Sequence, residues 1–419
     1  MHSDMGPDQQ KNILSYQEGD ARLVERLDEW LAKKLLRAIG TPPVTIKLWN
    51  NREVGDPEIR PVASIKINNR TSLVTLLANP VFYFGEHFST GNVDIEGDLP
   101  GFLDTVYRHL PQKRGSPLSA VVDRIRASNS LTGARKNIHH HYDIGNEFYE
   151  KWLDLPAMQY TCAYFPDPAM SLEEAQNAKM HHICRKLSLR PGQKVVEAGC
   201  GWGGLARFMA REYGVNVRAY NISHEQIRYA KQKAQEERLT DRVEFIEDDY
   251  RNIQGDYDVF VSVGMLEHIG IDNYRLLGAV INNVLREDGK GLIHTIGRNQ
   301  PDKLNEWIET RIFPGARPPS LSQMMTVFEP YSFSVLDVEN LRLHYARTLG
   351  HWLTRYEQSM HLYRDKYDDT FIRGWRLYLA GSQAAFTAGT MQLFQVLFTR
   401  PRNNKQPWSR SYLYNDRAN

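Results

Sequence analysis

The chain is 419 residues long, 41% hydrophobic and 24% charged, and Lys+Arg 52 against Asp+Glu 50 leave a formal charge of +2. That composition excludes a fibrous or generally disordered chain, allows two domains with a large combined core, and supplies no global field that would draw the protein onto nucleic acid. The N-terminus lacks the basic and apolar regions of a signal peptide, no run of about 18 apolar residues is long enough to span a bilayer, and Cys162, Cys184 and Cys200 cannot all pair within one chain, so the expectation is a cytosolic protein with free thiols.

Residues 1 to about 18 are polar and are expected to be loose. From Ala21 to Leu36 the positions Leu23, Leu27, Leu31, Leu35 and Leu36 follow helical spacing. Val44 to Trp49 and Val62 to Ile67 alternate like half-buried strands, which makes the N-terminal part a small α+β module. Between Arg108 and Lys136 the breakers Pro111, Gly115, Ser116 and Pro117 accompany Arg108, Lys113, Arg114, Arg124, Arg126, Arg135 and Lys136, with only Asp123 as a counter-charge. This is a basic linker, either a lipid-docking element or a merely solvated connection.

From Lys194 the pattern becomes strand, helix, strand, helix. Lys194 to Gly199, Val215 to Asn221, Val243 to Ile246, Tyr257 to Val263 and Gly291 to Ile296 are β-like; Gly204 to Glu212, His224 to Glu237 and Tyr274 to Leu285 are helical. The alternation demands a parallel sheet with helices on both faces. After Gly297 the rhythm breaks into a long insertion, then a strand candidate Ser334 to Leu341, an aromatic helical stretch Tyr345 to Ala388, and a last strand Gln392 to Thr399.

The most specific local signal is Glu197-Ala198-Gly199-Cys200-Gly201-Trp202-Gly203-Gly204, where a strand turns into a helix over closely spaced glycines. Glycine there keeps side chains away from a ligand against the backbone. A dinucleotide site would show G-x-G-x-x-G and a carboxylate ending the second strand. Here the spacing is E-x-G-x-G-x-G, and the second strand ends in Tyr220-Asn221-Ile222-Ser223. S-adenosylmethionine (SAM) has no pyrophosphate, and its cationic groups tolerate Glu197, so the loop favours SAM over NAD.

Eight ordered blocks then make the sequence from about His141 to Thr399 resemble the cyclopropane-fatty-acyl-phospholipid synthase family, including the mycolic acid cyclopropane synthases. They are His141 to Asn146, Tyr160 to Phe165, Gly199 to Leu205, Asn221 to Gln226, Asp249 to Arg251, Met265 to Gly270, His294 to Gly297, and Tyr345 to Leu349. The resemblance implies an α/β class I SAM-dependent methyltransferase with a Rossmann-like seven-stranded sheet, a helical lipid-binding insertion and a small N-terminal α+β domain. The expected layout is an accessory domain at 1–107, the basic linker at 108–136, a catalytic domain at 137–402 and a polar tail at 403–419.

The implied reaction adds a methylene group from SAM to the cis double bond of an unsaturated phospholipid acyl chain. Attack on the sulfonium methyl leaves a carbocation, and ring closure needs a base, which in the resembled family is a bound bicarbonate. Its holders carry over as Cys162 (backbone), Glu267, His294, Ile296 (backbone) and Tyr345. Amides, His294 and Tyr345 can donate to the anion, while Glu267 can accept from its hydroxyl. Alone, Glu267 reads as a helix-start carboxylate and His294 as a satisfied core histidine; their order among the family blocks carries the functional reading. The SAM contacts carry over as Tyr160, Thr161, Glu197, Gly199, Gly201, Gly203, Asn221, Ile222, Gln226, Asp249 and Tyr250.

The His139-His140-His141 run and His181-His182-x-Cys184 lack a second matching pair at metal-ligand spacing, so no metal is expected. Ser382 stands where some family members carry a cysteine, which excludes a thiol mechanism at that position. Trp307, Phe313, Trp352, Tyr356, Trp375, Leu379, Phe386 and Phe394 are candidates for an acyl tunnel or for plain core packing. Peripheral association with the inner face of the membrane and a homodimer follow from the resemblance. The rivals are a methyl- or methylene-branched acyl product and methylation of a small-molecule heteroatom.

Overall fold

The computed structural model describes residues 7–110 and 144–414, with side chains from residue 23 onward. Most of the basic linker, the His139-His140-His141 run and the start of the His141 to Asn146 block lie outside the described residues. The chain divides into two compact units, Met1–Lys113 with Asp368–Leu377, and Arg114–Tyr367 with Tyr378–Asn419.

In the first unit β1 (Val44–Lys47), β2 (Glu53–Val54), β3 (Ala63–Ile67) and β4 (Val93–Glu96) form a sheet of order β2-β1-β3-β4, in which β1 and β3 run parallel. Val44, Ile46, Ala63, Ile65 and Ile67 are buried at alternate positions, as the period-two pattern requires. The first helix spans Pro7–Ala38 and so corrects the expectation of a loose start. Pro7 opens it with a preset φ, and from Asp8 to Glu18 neither Pro nor Gly interrupts. Arg108 is corrected likewise: it closes the helix Leu99–His109 and pairs with Asp104 at 2.8 Å, one turn away, rather than opening a linker.

The second unit holds a seven-stranded sheet of β5 (Lys194–Ala198), β6 (Asn216–Asn221), β7 (Val243–Glu247), β8 (Tyr257–Val263), β9 (Leu285–Gly297), β10 (Ser334–Asn340) and β11 (Gln392–Thr399). Its order is β10-β11-β9-β8-β5-β6-β7; β5 to β9 are mutually parallel, and β11 runs antiparallel to β9 and β10. Alternate side chains feed two cores. Val195, Val217 and Val259 face one with the helices Leu172–Leu187, Gly204–Tyr213 and His224–Glu236, while Val196, Tyr220 and Phe260 face the other with Tyr274–Val284 and Leu321–Phe328. The expected helical stretch from Tyr345 resolves into Arg342–Ser359 and Asp369–Ala388, because Asp368 accepts from the amide of Phe371 at 2.7 Å and starts a new helix. The insertion after Gly297 contains Glu306–Arg311, capped by Asn305, and Leu321–Phe328, opened by a Ser320–Gln323 capping box.

β5 lies between β8 and β6, so the connections leaving β5 and β8 diverge to opposite sides. In an open α/β sheet that divergence opens a crevice at the carboxyl ends of the strands. The glycine loop begins there.

Candidate active site

A cleft occupies that crevice, lined from the β5 end by Glu197, Gly199 and Gly201, from the β6 end by Asn221, Ile222 and Gln226, from the β7 end by Asp249 and Tyr250, and on another side by Tyr160 and Thr161. The expected cofactor contacts are therefore brought together, all but Gly203. Gly201 has φ +54° and nothing within 4 Å of the position of a Cβ. A Cβ on Gly203 would lie 2.5 Å from the Phe245 ring, so that glycine serves helix-to-sheet packing behind the loop.

Glu197 is buried, and its Oε2 has no hydrogen-bond partner among the described residues. Burial pushes its pKa up to about 8, against the pull of Lys179 and Arg207. A buried carboxyl with one open oxygen is a site waiting for a cationic group or a donor.

The wall from Gln159 to Thr161 is clamped by the helix Leu172–Leu187. Gln176 Nε2 donates to the carbonyls of Gln159 (3.1 Å) and Thr161 (2.9 Å), and Lys179 Nζ donates to Gln159 Oε1 and to Thr161 Oγ1 (2.9 Å). Lys179 is fully buried, which lowers its pKa to about 8, and Asp154, whose own pKa burial raises to about 6, accepts from the Gln159 amide at 2.8 Å. Neither Gln176 nor Lys179 was among the expected site residues. The signal was available: two polar residues three apart on a helix face otherwise made of Leu172, Ala175 and Ile183.

Asn221 ties the loop to the next helix, its Nδ2 reaching Gln226 Oε1 at 2.8 Å and the Gly201 carbonyl at 3.3 Å. Asp249 is engaged by Arg251 at 2.7 and 3.0 Å, and the buried Tyr250 hydroxyl has no partner among the described residues. Trp202 donates to Asn146 Oδ1 at 2.8 Å and packs 5.0 Å from Tyr149. Met158, Met265, His268 and Ile269 also line the cleft; none was among the expected site residues, although the last three fall within the block Met265 to Gly270.

None of the expected catalytic residues Cys162, Glu267, His294, Ile296 and Tyr345 lines the cleft itself; three of them adjoin residues that do. Cys162 follows Thr161, Glu267 precedes His268, and the carbonyl of His294 accepts from the amide of Gly264 at 2.8 Å, where Gly264 itself lines the cleft. Glu267 is buried and bridges to β9, accepting from Thr295 Oγ1 at 2.7 Å and from the Ile296 amide at 3.3 Å. The Ile296 amide is thus committed to Glu267. His294 is buried on β9; Gln395 Nε2 lies 3.1 Å from its Nδ1, and its Nε2 has no partner among the described residues. Burial first, then the charges of Lys179 and Lys186, drive its pKa down to about 3. Tyr345 packs 5.9 Å from Trp352, which packs 5.3 Å from the cleft residue Tyr160.

The thiols of Cys162, Cys184 and Cys200 are free and buried, with pKa values raised by burial. His181 and His182 diverge, His181 to the Tyr213 hydroxyl at 3.0 Å and His182 to Glu339 at 2.7 Å. Trp307, Trp352, Tyr356, Leu379, Phe386 and Phe394 are buried side chains of the second unit, and Trp375 falls in the first; none of them lines the cleft. No described helix is long and apolar enough to cross a membrane.

Comparison with known proteins gives the same picture. The profile of the mycolic acid cyclopropane synthetase family matches residues 129–396, and a domain of unknown function (DUF7884) matches residues 31–113. The chain is 36% identical over 383 residues to a probable fatty acid methyltransferase of Pseudomonas putida, covering 89% of this chain and 96% of that one. It is 40% identical over 265 residues to the cyclopropane-fatty-acyl-phospholipid synthase of Escherichia coli strain K12, covering 63% of this chain and 68% of the relative. The mycolic acid cyclopropane synthase CmaA1 in complex with SAH and CTAB superposes with a TM-score of 0.60 at 28% identity, over 63% of this chain and 97% of that structure.

Proposed function

The chain belongs to the mycolic acid cyclopropane synthetase family and is a SAM-dependent methyltransferase, and from that premise we propose that it converts a cis double bond in a phospholipid acyl chain to a cyclopropane. The observation that carries this reading is the pair of buried polar groups just behind the cleft wall, Glu267 fixed on β9 and a neutral His294 with an open Nε2. Methyl transfer to nitrogen or oxygen also releases a proton, but from a heteroatom that can pass it to water; an alkene that accepts a methyl cation must lose a proton from carbon, which calls for a base held against the site.

SAM supplies the electrophilic methyl, and bicarbonate supplies the base. The open oxygen of Glu197 fits the cationic end of SAM, and the glycine at 201 leaves the floor bare. For bicarbonate, His294 offers an N–H and Tyr345 a hydroxyl, while Glu267 is an acceptor for the hydroxyl of the anion. Cys162 and Ile296 would contribute backbone amides; the latter becomes available only if Glu267 turns from it. Beside them the cleft residue Tyr160 presents an aromatic ring suited to a carbocation, backed by Trp152 and Trp352, each 5.3 Å from its ring centre.

The reading extends to a peripheral protein at the inner face of the membrane, acting as a homodimer, with the basic linker among its lipid contacts. The domain layout belongs to the same proposal, with the linker starting after the helix Leu99–His109 rather than at 108: 1–109, 110–136, 137–402 and 403–419. Incubation with SAM and monounsaturated phospholipid vesicles should yield acyl chains heavier by one methylene, with ring methylene protons in the NMR spectrum. Absence of any such product overturns the reading.

A second product is favoured by one observation: the relative that this chain matches along almost its whole length is named a probable fatty acid methyltransferase. A hydride shift in place of ring closure, followed by loss of a proton, gives a methylene-branched chain or a methyl-branched alkene of the same mass as the cyclopropane. Exocyclic vinyl or methyl proton signals in place of ring signals would identify it.

A further inference from the structure

The helix Pro7–Ala38 has two faces of opposite character from residue 23 onward. Inward, Ala32, Leu35 and Leu36 are buried. The acidic residues of this stretch, Glu25, Asp28 and Glu29, fall on the same side or its margin, and each is neutralised there. Arg52 reaches both Glu25 and Glu29, and Arg70 grips Asp28 with two bonds of 2.7 and 2.8 Å.

Outward, Leu23, Leu27 and Trp30 recur at helical spacing and are 65%, 51% and 54% exposed. Arg26, Lys33, Lys34 and Arg37 are exposed on the same arc, with Lys34 Nζ 5.2 Å from the centre of the Trp30 ring. Between residues 23 and 38 no acidic side chain lies on that arc. We propose that this face docks the protein on an anionic lipid bilayer, the helix lying in the plane of the interface with Leu23, Leu27 and Trp30 in the headgroup region and the four cations against lipid phosphates. The proposal rests on the functional reading above only in that the acyl substrate of that reading resides in such a bilayer.

A second copy of the chain is the other occupant to weigh. Two-fold pairing would set this patch against itself and bring like charges together, and protein interfaces are depleted in lysine. Tryptophan and leucine bordered by lysine and arginine, with the acids tied down on the far side, is instead the composition of an interfacial helix.

The test is flotation of the full-length protein with vesicles of phosphatidylglycerol and phosphatidylcholine, compared with phosphatidylcholine alone. Binding should require the anionic lipid and fall with added salt. Each cation contributes roughly a fivefold factor in partitioning, so Lys33→Gln/Lys34→Gln should weaken binding about 25-fold, and Trp30→Ser should weaken it with little change in salt dependence. Turnover of a micelle-solubilised acyl substrate should be unchanged in both variants, and circular dichroism should match the parent. Unaltered vesicle binding in both variants overturns the proposal. So does a parent dimer that Leu23→Glu/Leu27→Glu splits in sedimentation velocity without loss of vesicle binding, since the face would then be a contact between copies. If the vesicle results hold and no acyl substrate is turned over, the docking face stands and the functional reading alone fails.

Discussion

The amide nitrogen of Gln395 lies 3.1 Å from Nδ1 of His294, and the two residues are direct partners in the register of β9 and β11. With Nδ1 accepting, the ring proton sits on Nε2, a buried atom with no partner among the described residues. A pKa near 3 keeps the imidazole neutral at any working pH. His294 is then a fixed hydrogen-bond donor, and Gln395 a positioning residue. Gln395→Leu should cut kcat about tenfold while leaving the affinity for SAM and the thermal midpoint nearly unchanged. Tautomer-sensitive nitrogen NMR of His294 should show the proton redistributed between the two ring nitrogens.

Glu267 joins the short helix Leu266–Ile269 to β9 through Thr295 and Ile296. Glu267→Ala removes an acceptor required only by the deprotonation step, so turnover should fall by about two to three orders of magnitude with SAM binding close to normal in calorimetry. Glu267→Gln keeps the bond from Thr295 but cannot take charge; it should be stable and nearly as inactive. Unchanged turnover in either variant would point to a heteroatom methyltransferase.

Glu197 makes the protein's pH response specific. Its carboxyl titrates near 8 in the fold against an ordinary value of 4.5, so the folded chain retains a proton that the unfolded chain releases. Stability present at low pH is therefore lost as pH rises through 8. Asp154 near 6 and His294 near 3 complete their changes at lower pH, and Lys179 has the opposite sign above 8, so the window from 6.5 to 8 belongs to Glu197. In that window the thermal midpoint of the ligand-free protein should decline, by at most about 1.4 kcal/mol of stability per pH unit, and Glu197→Gln should abolish the decline. Binding of SAM at pH 7 should release close to one proton, read from calorimetry in buffers of differing ionisation enthalpy, and the Gln variant should release none.

The parallel part of the sheet was legible because β5 and β8 are short, mostly apolar runs and β6 alternates, all separated by helices with clear periodicity, and the antiparallel β11 was legible as the predominantly apolar run Gln392–Thr399. The two-residue β2 was not, since two residues cannot establish an alternation, and the alternating Val93–Glu96 of β4 was missed. At the site, the glycine loop and the strand-end residues were legible from spacing. Gln395 was not: it is one glutamine in a fully buried strand, and only the register with His294 gives it a role. Lys179 was legible in part, as one of two polar residues three apart on an apolar helix face, but its bonds to Gln159 and Thr161 follow only from the fold.

Gly201 and Gly203 separate the binding role of the loop from its packing role. Both have positive φ, at +54° and +74°, so alanine at either carries a backbone cost of about 1 kcal/mol. Beyond that they diverge. At 203 the added Cβ would sit 2.5 Å from the Phe245 ring and 2.8 Å from the Ala230 Cβ, deep under the helix Gly204–Tyr213, and a further overpacking cost of about 1–3 kcal/mol follows. At 201 the added methyl meets no protein atom within 4 Å and stands in the cleft itself. Gly203→Ala should therefore lower the thermal midpoint by several degrees more than Gly201→Ala does, with SAM affinity changing little once the protein is folded at low temperature. Gly201→Ala should fold almost normally and bind SAM about tenfold or more weakly. Equal losses of affinity in the two variants would mean that the loop senses any disturbance as a whole, and the assignment of Gly203 to packing would fail.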